Sequence, residues 1–242
     1  MTIKIHNIGK NFGGIRVLNN CSFNLTKGKI TAIIGPNGSG KTTLFNIISK
    51  LIHQDQGKLF FGDKEITKSK DFQVSKHGLS RTFQDVRLFK NLTIKDHLEI
   101  ALLNHDESIL DSIMFRKKHD EKIKNILSLV KLDKPLHTYA IDLSYGQRKL
   151  LDLAIAIAKP HSVLLLDEPV AGVNPRLRIE IKDIVKNLNK IGETILLIEH
   201  DMNFVMDLAD YIYVLDCGNI IAHGLPKDIQ NNKKVLEAYL GE

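Results

Sequence analysis

The stretch Gly35–Thr42 has the sequence GPNGSGKT, which fits the phosphate-loop pattern G-x-x-x-x-G-K-[ST] at every fixed position. Before it lies Thr31–Ile34, a short apolar run rich in β-branched residues that predicts a buried strand. After it, apolar residues recur at helical spacing, at Leu44, Ile47, Ile48 and Leu51. The loop therefore joins a strand to the N-terminus of a helix, and this context favours a phosphate-binding loop over a chance glycine-rich turn.

Each part of this loop has a predicted role. Glycines let the backbone approach a phosphate closely, so that successive N–H groups, backed by the helix dipole, form an anion-binding nest. Lys41 is expected to reach the β- and γ-phosphates of a nucleotide, and the Thr42 hydroxyl is expected to bind Mg²⁺. The residues of the loop predicted to bind nucleotide are Gly35, Pro36, Asn37, Gly38, Ser39, Gly40, Lys41 and Thr42.

The composition is ordinary for a globular chain. Its 242 residues suffice for a full core, in one large domain or two lobes. The net charge of +6 is compatible with nucleic-acid binding, but the charges are scattered, so solubility explains them as well. Cys21 and Cys217 lack metal-ligand spacing and suit a reducing compartment. Because we find no signal peptide and no apolar run of membrane-spanning length, we expect a cytoplasmic protein that only a partner could hold at a membrane.

The predicted elements divide the chain into three parts. Alternating apolar residues near the N-terminus predict half-buried antiparallel strands, and Leu59–Ile66 predicts a hairpin around Gly62 and Asp63. From about residue 92 to residue 159 the pattern is helical, and the last third alternates strands with helices. Within the helical part, Phe115–His119 is a basic connection, predicted to be a solvated loop or, alternatively, a contact to lipid headgroups or another subunit. The combination of antiparallel strands, a helical part and a last third that alternates strands with helices is unlike a simple alternating βαβ fold.

Two predicted buried strands end in charged residues. The apolar run 163–166 leads into Asp167 and Glu168, and the run 194–198 leads into Glu199 and His200. In open α/β sheets, ligands bind at the carboxyl ends of the strands. Asp167 is expected to hold Mg²⁺ through its waters, and Glu168 to accept a proton from an attacking water. Adjacent carboxylates repel each other, so a cation or a catalytic role explains the pair better than a structural one.

Three further side chains have both a functional and a structural interpretation. Gln84 could ligate Mg²⁺ or orient water, although an isolated glutamine is usually a surface residue. His200 could contact a γ-phosphate, although an isolated histidine is more often satisfied in a core. Phe12 could stack on a base, a contact worth roughly 1–3 kcal/mol in nucleic-acid binders, or it could pack in the core or the turn.

Ser144, with Gln147 three residues later, matches a capping box and predicts a helix that begins there and runs to Pro160. Gly146 lies in its first turn, where glycine weakens a helix by up to ~1 kcal/mol. Such a glycine indicates that another group comes close to the backbone. Asn174 followed by Pro175 predicts the start of a further helix.

Together these residues resemble the ATPase subunit of an ABC transporter. Gly35–Thr42 is similar to the family's Walker A loop, and the run 163–168 to its Walker B strand with the catalytic glutamate. Leu143–Gln147 is similar to the signature sequence, which distinguishes this family from other phosphate-loop proteins. The Q-loop glutamine, the D-loop and the switch histidine of the family are matched by Gln84, Ala171–Pro175 and His200.

The resemblance implies an α/β ABC ATPase fold, with a RecA-like phosphate-loop core, an antiparallel β subdomain and an inserted α-helical subdomain. The expected division of the single domain 1–242 places the core and β subdomain in 1–90 and 160–242, and the helical subdomain in 91–159. It also implies that two subunits pair head to tail, with each ATP between the Walker A loop of one chain and the signature of the other.

The resemblance completes the set of site residues. ATP is expected to be contacted, in addition to the loop residues, by Phe12, Thr43, Ser144, Tyr145, Gly146 and Gln147. The expected catalytic residues are Lys41, Gln84, Glu168 and His200. The expected Mg²⁺ ligands are Thr42, Gln84 and Asp167.

Three positions depart from the common family pattern, with Tyr145 in place of glycine, Asn174 in place of the D-loop aspartate and Phe12 in place of tyrosine.

The stretches Arg81–Phe89, Glu168–Pro175 and Ala238–Glu242 resemble the ATPases of branched-chain amino acid importers. Urea or short-amide importers and lipopolysaccharide exporters have similar ATPases, so these remain alternatives. A soluble ABC ATPase acting on DNA or ribosomes is disfavoured, because neither a long coiled coil nor a second such domain is found. A phosphate-loop kinase or GTPase is disfavoured, because either would lack Leu143–Gln147 and because the guanine-reading motif Asn-Lys-x-Asp of GTPases is absent.

The resemblance also implies partners and a location. The expected partners are a second ATPase subunit, identical or different, transmembrane permease subunits and, indirectly, a solute-binding protein; no nucleic acid is expected. The chain would then act at the cytoplasmic face of the cell membrane, as a peripheral subunit.

Overall fold

The computed structural model describes residues 3–69, 78–103 and 111–240, with side chains described except at 111–119 and 240. Over these residues, the periodic apolar patterns of the sequence form strands and helices. The described strands are β1 Ile3–Phe12, β2 Ile15–Asn24, β3 Ile30–Ile34, β4 Gln56–Phe61, β5 Lys64–Glu65, β6 Leu79–Arg81, β7 Val163–Asp167, β8 Ile195–Ile198, β9 Tyr211–Asp216 and β10 Asn219–Gly224. The described helices are α1 Lys41–Ile48, α2 Ile94–Leu102, α3 Asp111–Leu129, α4 Tyr145–Ala158, α5 Pro175–Lys190, α6 Met202–Leu208, α7 Pro226–Gln230 and α8 Lys233–Leu240.

The first sheet is antiparallel, in the order β2-β1-β4-β5. At the start of β1, Ile3 and Ile5 are buried whereas Lys4 and His6 are exposed, as expected for a sheet with one face on the core. The predicted antiparallel strands are confirmed, and so is the hairpin around Gly62, whose strands β4 and β5 pair from Phe61 to Lys64.

The second sheet has the order β10-β9-β3-β8-β7-β6 over the described residues. Strands β6 to β9 run parallel to β3, and β10 pairs antiparallel with β9. Every residue of β3, β7 and β8 is buried, which matches the predicted buried strands. Ile198 of β8 lies opposite both Ile33 of β3 and Asp167 of β7. The residues that follow these three strands therefore emerge at one edge of the sheet.

Helix α1 contributes Leu44, Phe45, Ile47 and Ile48 to the core that it shares with both sheets. The prediction that Leu51 continues the helix face is wrong, because α1 ends at Ile48 and Leu51 is 48% exposed. Lys50, with φ of +60°, has the left-handed conformation that ends a right-handed helix.

The helical part of the chain contains α2, α3 and α4. Thr93 caps α2 through a capping box with Asp96, as Ser144 and Gln147 do for α4. The prediction that Phe115–His119 forms a loop is wrong, because these residues lie inside α3. Charged residues are compatible with helix, so a basic stretch without an apolar stripe does not by itself indicate a loop. No described helix is long and apolar enough to cross a membrane.

The chain divides into two compact units, each of which we describe by itself. The first unit comprises Met1–Arg81, Ser162–Glu168 and Val185–Glu242, and it contains both sheets and α1. The second unit comprises Thr82–His161 and Pro169–Ile184, with α2, α3, α4 and the start of α5. The chain passes between the units at four points, which follow Arg81, His161, Glu168 and Ile184.

Candidate functional site

The phosphate-loop stretch connects β3 to α1, as predicted. Gly35 and Gly40 both have positive φ, +153° and +104°. A Cβ on Gly35 would overlap the Leu215 carbonyl oxygen, and one on Gly40 would lie 2.9 Å from the Val17 carbonyl oxygen. Only glycine fits such close backbone approaches without strain, so the fixed glycines of the motif have a structural reason in this chain.

The loop places a cation and the N-terminus of a helix on the same short segment. The Lys41 ammonium is buried and donates to the carbonyl oxygens of Gly35 at 2.6 Å and Pro36 at 2.8 Å. The N-cap of α1 is Gly40, which offers no side-chain acceptor to the first-turn N–H groups. Such a helix N-terminus favours an anion through its N–H groups and its dipole. Thr42 is exposed and Thr43 half-buried in the first turn.

Asp167 ends β7 and is 2% exposed. Its Oδ2 accepts a bond from Arg81 Nη2 at 2.6 Å, an ion pair that is buried on both sides. A carboxylate taken out of water needs such a counter-charge, because the desolvation of an unpaired ion is costly. The predicted metal ligand therefore has an arginine partner that sequence reasoning did not assign.

Glu168 and His200 come together at the same edge of the sheet. The Glu168 N–H donates to the Ile198 carbonyl at 2.9 Å, which extends the pairing of β7 with β8 by one residue. His200 Nδ1 lies 3.9 Å from Glu168 Oε2 and 3.9 Å from Glu199 Oε2. The His200 side chain is 57% exposed, so the alternative of a core histidine is wrong.

The side-chain oxygens of Asp167 and Thr42 are the kind of ligand that a magnesium ion takes. Mg²⁺ takes oxygen ligands, and proteins usually bind it through one or two carboxylates together with substrate phosphates and water. Asp167 and Thr42 supply a carboxylate and a hydroxyl within the first unit. Among the described residues, no group of three or more His, Cys, Asp or Glu side chains forms a dedicated metal cage.

Phe12 ends β1, and its ring is 46% exposed. The Lys10 ammonium lies 5.2 Å from the ring centroid. The alternative that Phe12 belongs to the core is therefore wrong, and the ring remains available for stacking.

Gln84 follows β6 by three residues and belongs to the second unit. Its side chain is exposed, and its carbonyl accepts a bond from the buried Lys149 ammonium at 2.9 Å. The preceding Phe83 N–H donates to Asp152 Oδ2 at 3.4 Å. Burial raises the pKa of the Asp152 carboxyl to about 6, although the Phe83 N–H and the Lys149 charge oppose the shift. Helix α4 therefore holds the backbone of Gln84 and leaves its amide exposed.

The signature residues also lie in the second unit, around the start of α4. Ser144 Oγ accepts from the Gln147 N–H at 3.3 Å, and Gln147 Oε1 accepts from the Ser144 N–H at 3.0 Å, which confirms the predicted capping box. A Cβ on Gly146 would overlap the end of the Leu177 side chain. The group that comes close to this glycine within the chain is therefore a side chain of α5.

Tyr145 contacts the predicted D-loop within the same unit. Its hydroxyl donates to the Ala171 carbonyl at 3.3 Å, and its ring lies 3.3 Å from the position of a Cβ on Gly172. Asn174 Oδ1 accepts from the Leu177 N–H at 2.9 Å, so it caps α5 as predicted. A cleft of about 580 Å³ is lined by the signature residues and by Gly172–Asn174.

Four side chains that hydrogen-bond to predicted site residues or to residues beside them had no role predicted from the sequence: Arg81, Lys149, Asp152 and Glu199. Their roles depend on pairing between residues far apart in the chain, such as Arg81 with Asp167 and Lys149 with Gln84. No local pattern predicts such pairs. For Glu199 the available signal was its position at the end of a buried strand, although its complete burial is evident only in the structure.

Solved structures with a similar fold define the class. An ATP-binding cassette of an ABC transporter, in its ADP conformation, superposes with a TM-score of 0.86 at 36% sequence identity, covering 100% of both chains. The predicted fold class is confirmed: the chain has the fold of an ATP-binding cassette.

Comparison with proteins of similar sequence shows the family to which the chain belongs. The family profile described as ABC transporter matches residues 18–171, and the profile described as branched-chain amino acid ATP-binding cassette transporter matches residues 219–242. The chain is 40% identical to a probable branched-chain amino acid transport ATP-binding protein LivG of Archaeoglobus fulgidus, over 99% of this chain and 95% of that one. It is 34% identical to the LivG protein of Escherichia coli strain K12, over 99% and 98% of the two chains.

The chain therefore belongs to the ABC transporter family, as an ATP-binding cassette that hydrolyses ATP. Cassettes of this family dimerise and work with transmembrane permeases.

Proposed function

We propose that this chain hydrolyses ATP to drive the import of branched-chain amino acids through a membrane permease. The observation that supports the chemistry best is the shared sheet edge, where the phosphate loop follows β3, Asp167 and Glu168 follow β7, and His200 follows β8. In α/β proteins this edge is the site of ligand binding. The names of the LivG relatives and the profile match at residues 219–242 support the cargo.

The catalytic step assigns one task to each group. Glu168 accepts a proton from the water that attacks the γ-phosphorus, and the bond from that phosphorus to the oxygen of ADP breaks, so that ADP leaves. His200, 3.9 Å from Glu168, contacts the γ-phosphate. Lys41 and the N–H groups of α1 balance the charge that develops on the phosphate oxygens. Asp167, Thr42 and Gln84 would hold Mg²⁺, which would supply positive charge to neutralise the phosphates. Phe12 stacks on the adenine ring.

A second cassette completes each site in this proposal. The capped N-terminus of α4, with Ser144, Tyr145, Gly146 and Gln147, faces the γ-phosphate bound to the phosphate loop of the partner. The Ser144 hydroxyl accepts the Gln147 N–H and retains its own O–H as a donor to phosphate. The partner is an identical or a related cassette. In the same proposal, residues 1–90 and 160–242 form the ATP-binding core with the β subdomain, and residues 91–159 form the helical subdomain that carries the signature.

The assembly we propose is a peripheral one, at the cytoplasmic face of the cell membrane. Permease subunits hold the cassettes there, and a solute-binding protein acts through the permease. Importers of urea or short amides and exporters of lipopolysaccharide use related cassettes, and they are the alternatives for the cargo. A role on nucleic acid is not part of the proposal.

The Glu168→Gln variant tests the catalytic assignment. It keeps the size of the side chain but removes the base, so we expect unchanged ATP binding, loss of turnover and accumulation of an ATP-bound dimer. Steady-state hydrolysis at the normal rate in this variant would exclude Glu168 as the base.

The cargo is tested separately, by purifying the membrane proteins that associate with the chain and reconstituting them with their solute-binding protein. We expect leucine, isoleucine or valine to stimulate ATP hydrolysis. Stimulation by urea or a short amide, and not by these amino acids, would reassign the cargo and leave the ATPase chemistry intact.

A further inference from the structure

Arg81 connects the two elements that carry proposed Mg²⁺ ligands. Its Nη2 donates to Asp167 Oδ2 at 2.6 Å, at the end of β7. Its Nη1 donates to Asn46 Oδ1 at 2.8 Å and to Ser49 Oγ at 2.7 Å, on α1 and at its C-cap. Thr42 lies in the first turn of the same helix. One guanidinium group therefore bonds both to the carboxylate and to the helix that carries the hydroxyl.

The guanidinium group is immobilised on three sides. The Arg81 side chain is 8% exposed, and its guanidinium carbon lies 5.0 Å from the centroid of the Phe45 ring. The planar fork of arginine suits several bonds at fixed angles, and little of its freedom is lost per bond. Because the Asp167 carboxylate is 2% exposed, a side chain held in this way determines how that carboxylate is oriented.

We propose that Arg81 is a positioning residue of the Mg²⁺ site, which orients the Asp167 carboxylate and fixes β7 relative to α1 and Thr42. The inference rests on the proposed function, which assigns Asp167 and Thr42 to the metal. Residues that hydrogen-bond metal ligands orient them, and their loss typically lowers metal affinity by about 10–100-fold. Arg81 itself contacts neither nucleotide nor metal in this proposal.

The test compares nucleotide binding with and without metal, using a fluorescent ATP analogue in EDTA and then in a Mg²⁺ titration. We define the Mg²⁺ requirement as the Mg²⁺ concentration that gives half of the Mg²⁺-dependent gain in nucleotide binding. In Arg81→Met we expect unchanged nucleotide binding in EDTA and a rise of about 10-fold or more in the Mg²⁺ requirement. Arg81→Lys keeps the charge without the fork, so we expect a smaller shift, of about threefold or more.

Lys50→Met is the matched control. Lys50 is a second buried cation beside α1, and its ammonium donates to the Thr67 carbonyl at 2.6 Å and to Gln54 Oε1 at 3.1 Å, away from Asp167. Its loss should lower the thermal unfolding temperature without moving the Mg²⁺ requirement. An unchanged Mg²⁺ requirement in Arg81→Met, or an equal shift in Lys50→Met, overturns the proposal. If Arg81→Met does not fold, an unchanged requirement in Arg81→Lys overturns it.

Asp167→Asn separates this inference from the proposed function. If Asp167→Asn raises the Mg²⁺ requirement and the Arg81 variants do not, only the positioning role fails. If Asp167→Asn also leaves it unchanged, the assignment of Asp167 to Mg²⁺ fails, and the role of Arg81 fails with it.

Discussion

Glu168 has a backbone conformation that is costly for any residue except glycine. Its φ of +45° is in the left-handed region, where a side chain costs roughly 1–2 kcal/mol. The chain turns there between the end of β7 and the second unit, and the Glu168 N–H bonds to Ile198. Strain of this kind clusters at functional sites. We infer that the carboxylate, and not the fold, is the reason that glutamate occupies this position.

A pair of substitutions measures this strain. Because glycine tolerates positive φ, we expect Glu168→Gly to be more stable than Glu168→Ala by about 1 kcal/mol in urea unfolding. The same pair at Glu180, within α5, is the control, and there alanine should be the more stable by about 1 kcal/mol. Equal or greater stability of the alanine variant at Glu168 would exclude the strain.

Asp152 makes the stability of the chain depend on pH. Its folded-state pKa of about 6 lies above the ordinary aspartate value of about 4, so between these values the folded state binds more protons than the unfolded state. This contribution is therefore present below about pH 4 and lost as pH rises through about 6, by up to ~3 kcal/mol. In Asp152→Asn we expect a correspondingly weaker loss of stability between pH 4.5 and 7.5, measured by urea unfolding. Asp133→Asn, at an exposed position, should retain the normal pH dependence.

At the scale of the elements, two helix N-termini with different caps carry the proposed ATP contacts. Helix α1 begins after Gly40 and has no side-chain cap, whereas α4 begins with the reciprocal cap of Ser144 and Gln147. An open N-terminus suits direct anion binding, whereas in the capped one the Ser144 and Gln147 N–H groups are already bonded within the cap. We infer that α1 holds nucleotide within one chain and that α4 supplies the contact made by the partner.

Substitutions of Ser144 separate its cap from its proposed contact. Aspartate caps a helix as well as serine does, so Ser144→Asp should keep the free energy of unfolding within about 0.5 kcal/mol. Its negative charge would repel the γ-phosphate, so we expect the ATPase rate to fall at least 100-fold. Ser144→Thr keeps the cap and an O–H, and it should retain most activity. Normal ATPase activity in Ser144→Asp would refute the contact.

The strongly patterned elements could be predicted from the sequence, and those defined by tertiary contacts could not. The phosphate loop, the buried strands β3, β7 and β8 and the cap of α4 all have local signals, because their residues are selected by burial or by backbone geometry. Strand β6 has only the residues Leu-Ser-Arg, and it exists because it pairs with β7. The same absence of local pattern gives no prediction for Arg81, whereas Gln84, three residues later, is predicted as a site residue.

At the scale of the whole molecule, the two units each hold part of the proposed site. The first contains the phosphate loop, Asp167, Glu168 and His200, and the second contains Gln84 and the signature residues. The family resemblance predicts that the signature lies in a separate helical subdomain, 91–159, and it assigns Gln84 to the core in 1–90, whereas Gln84 lies in the second compact unit. Nucleotide held between two copies accounts for both halves, and this pairing is the central claim.

The most direct test of that claim is the ATPase rate per chain as a function of chain concentration, for the unaltered protein and for Ser144→Asp. We expect the rate per chain of the unaltered protein to rise with concentration as cassettes pair, and that of Ser144→Asp to stay near zero throughout. A rate per chain that is independent of concentration and equal in both proteins would contradict the account.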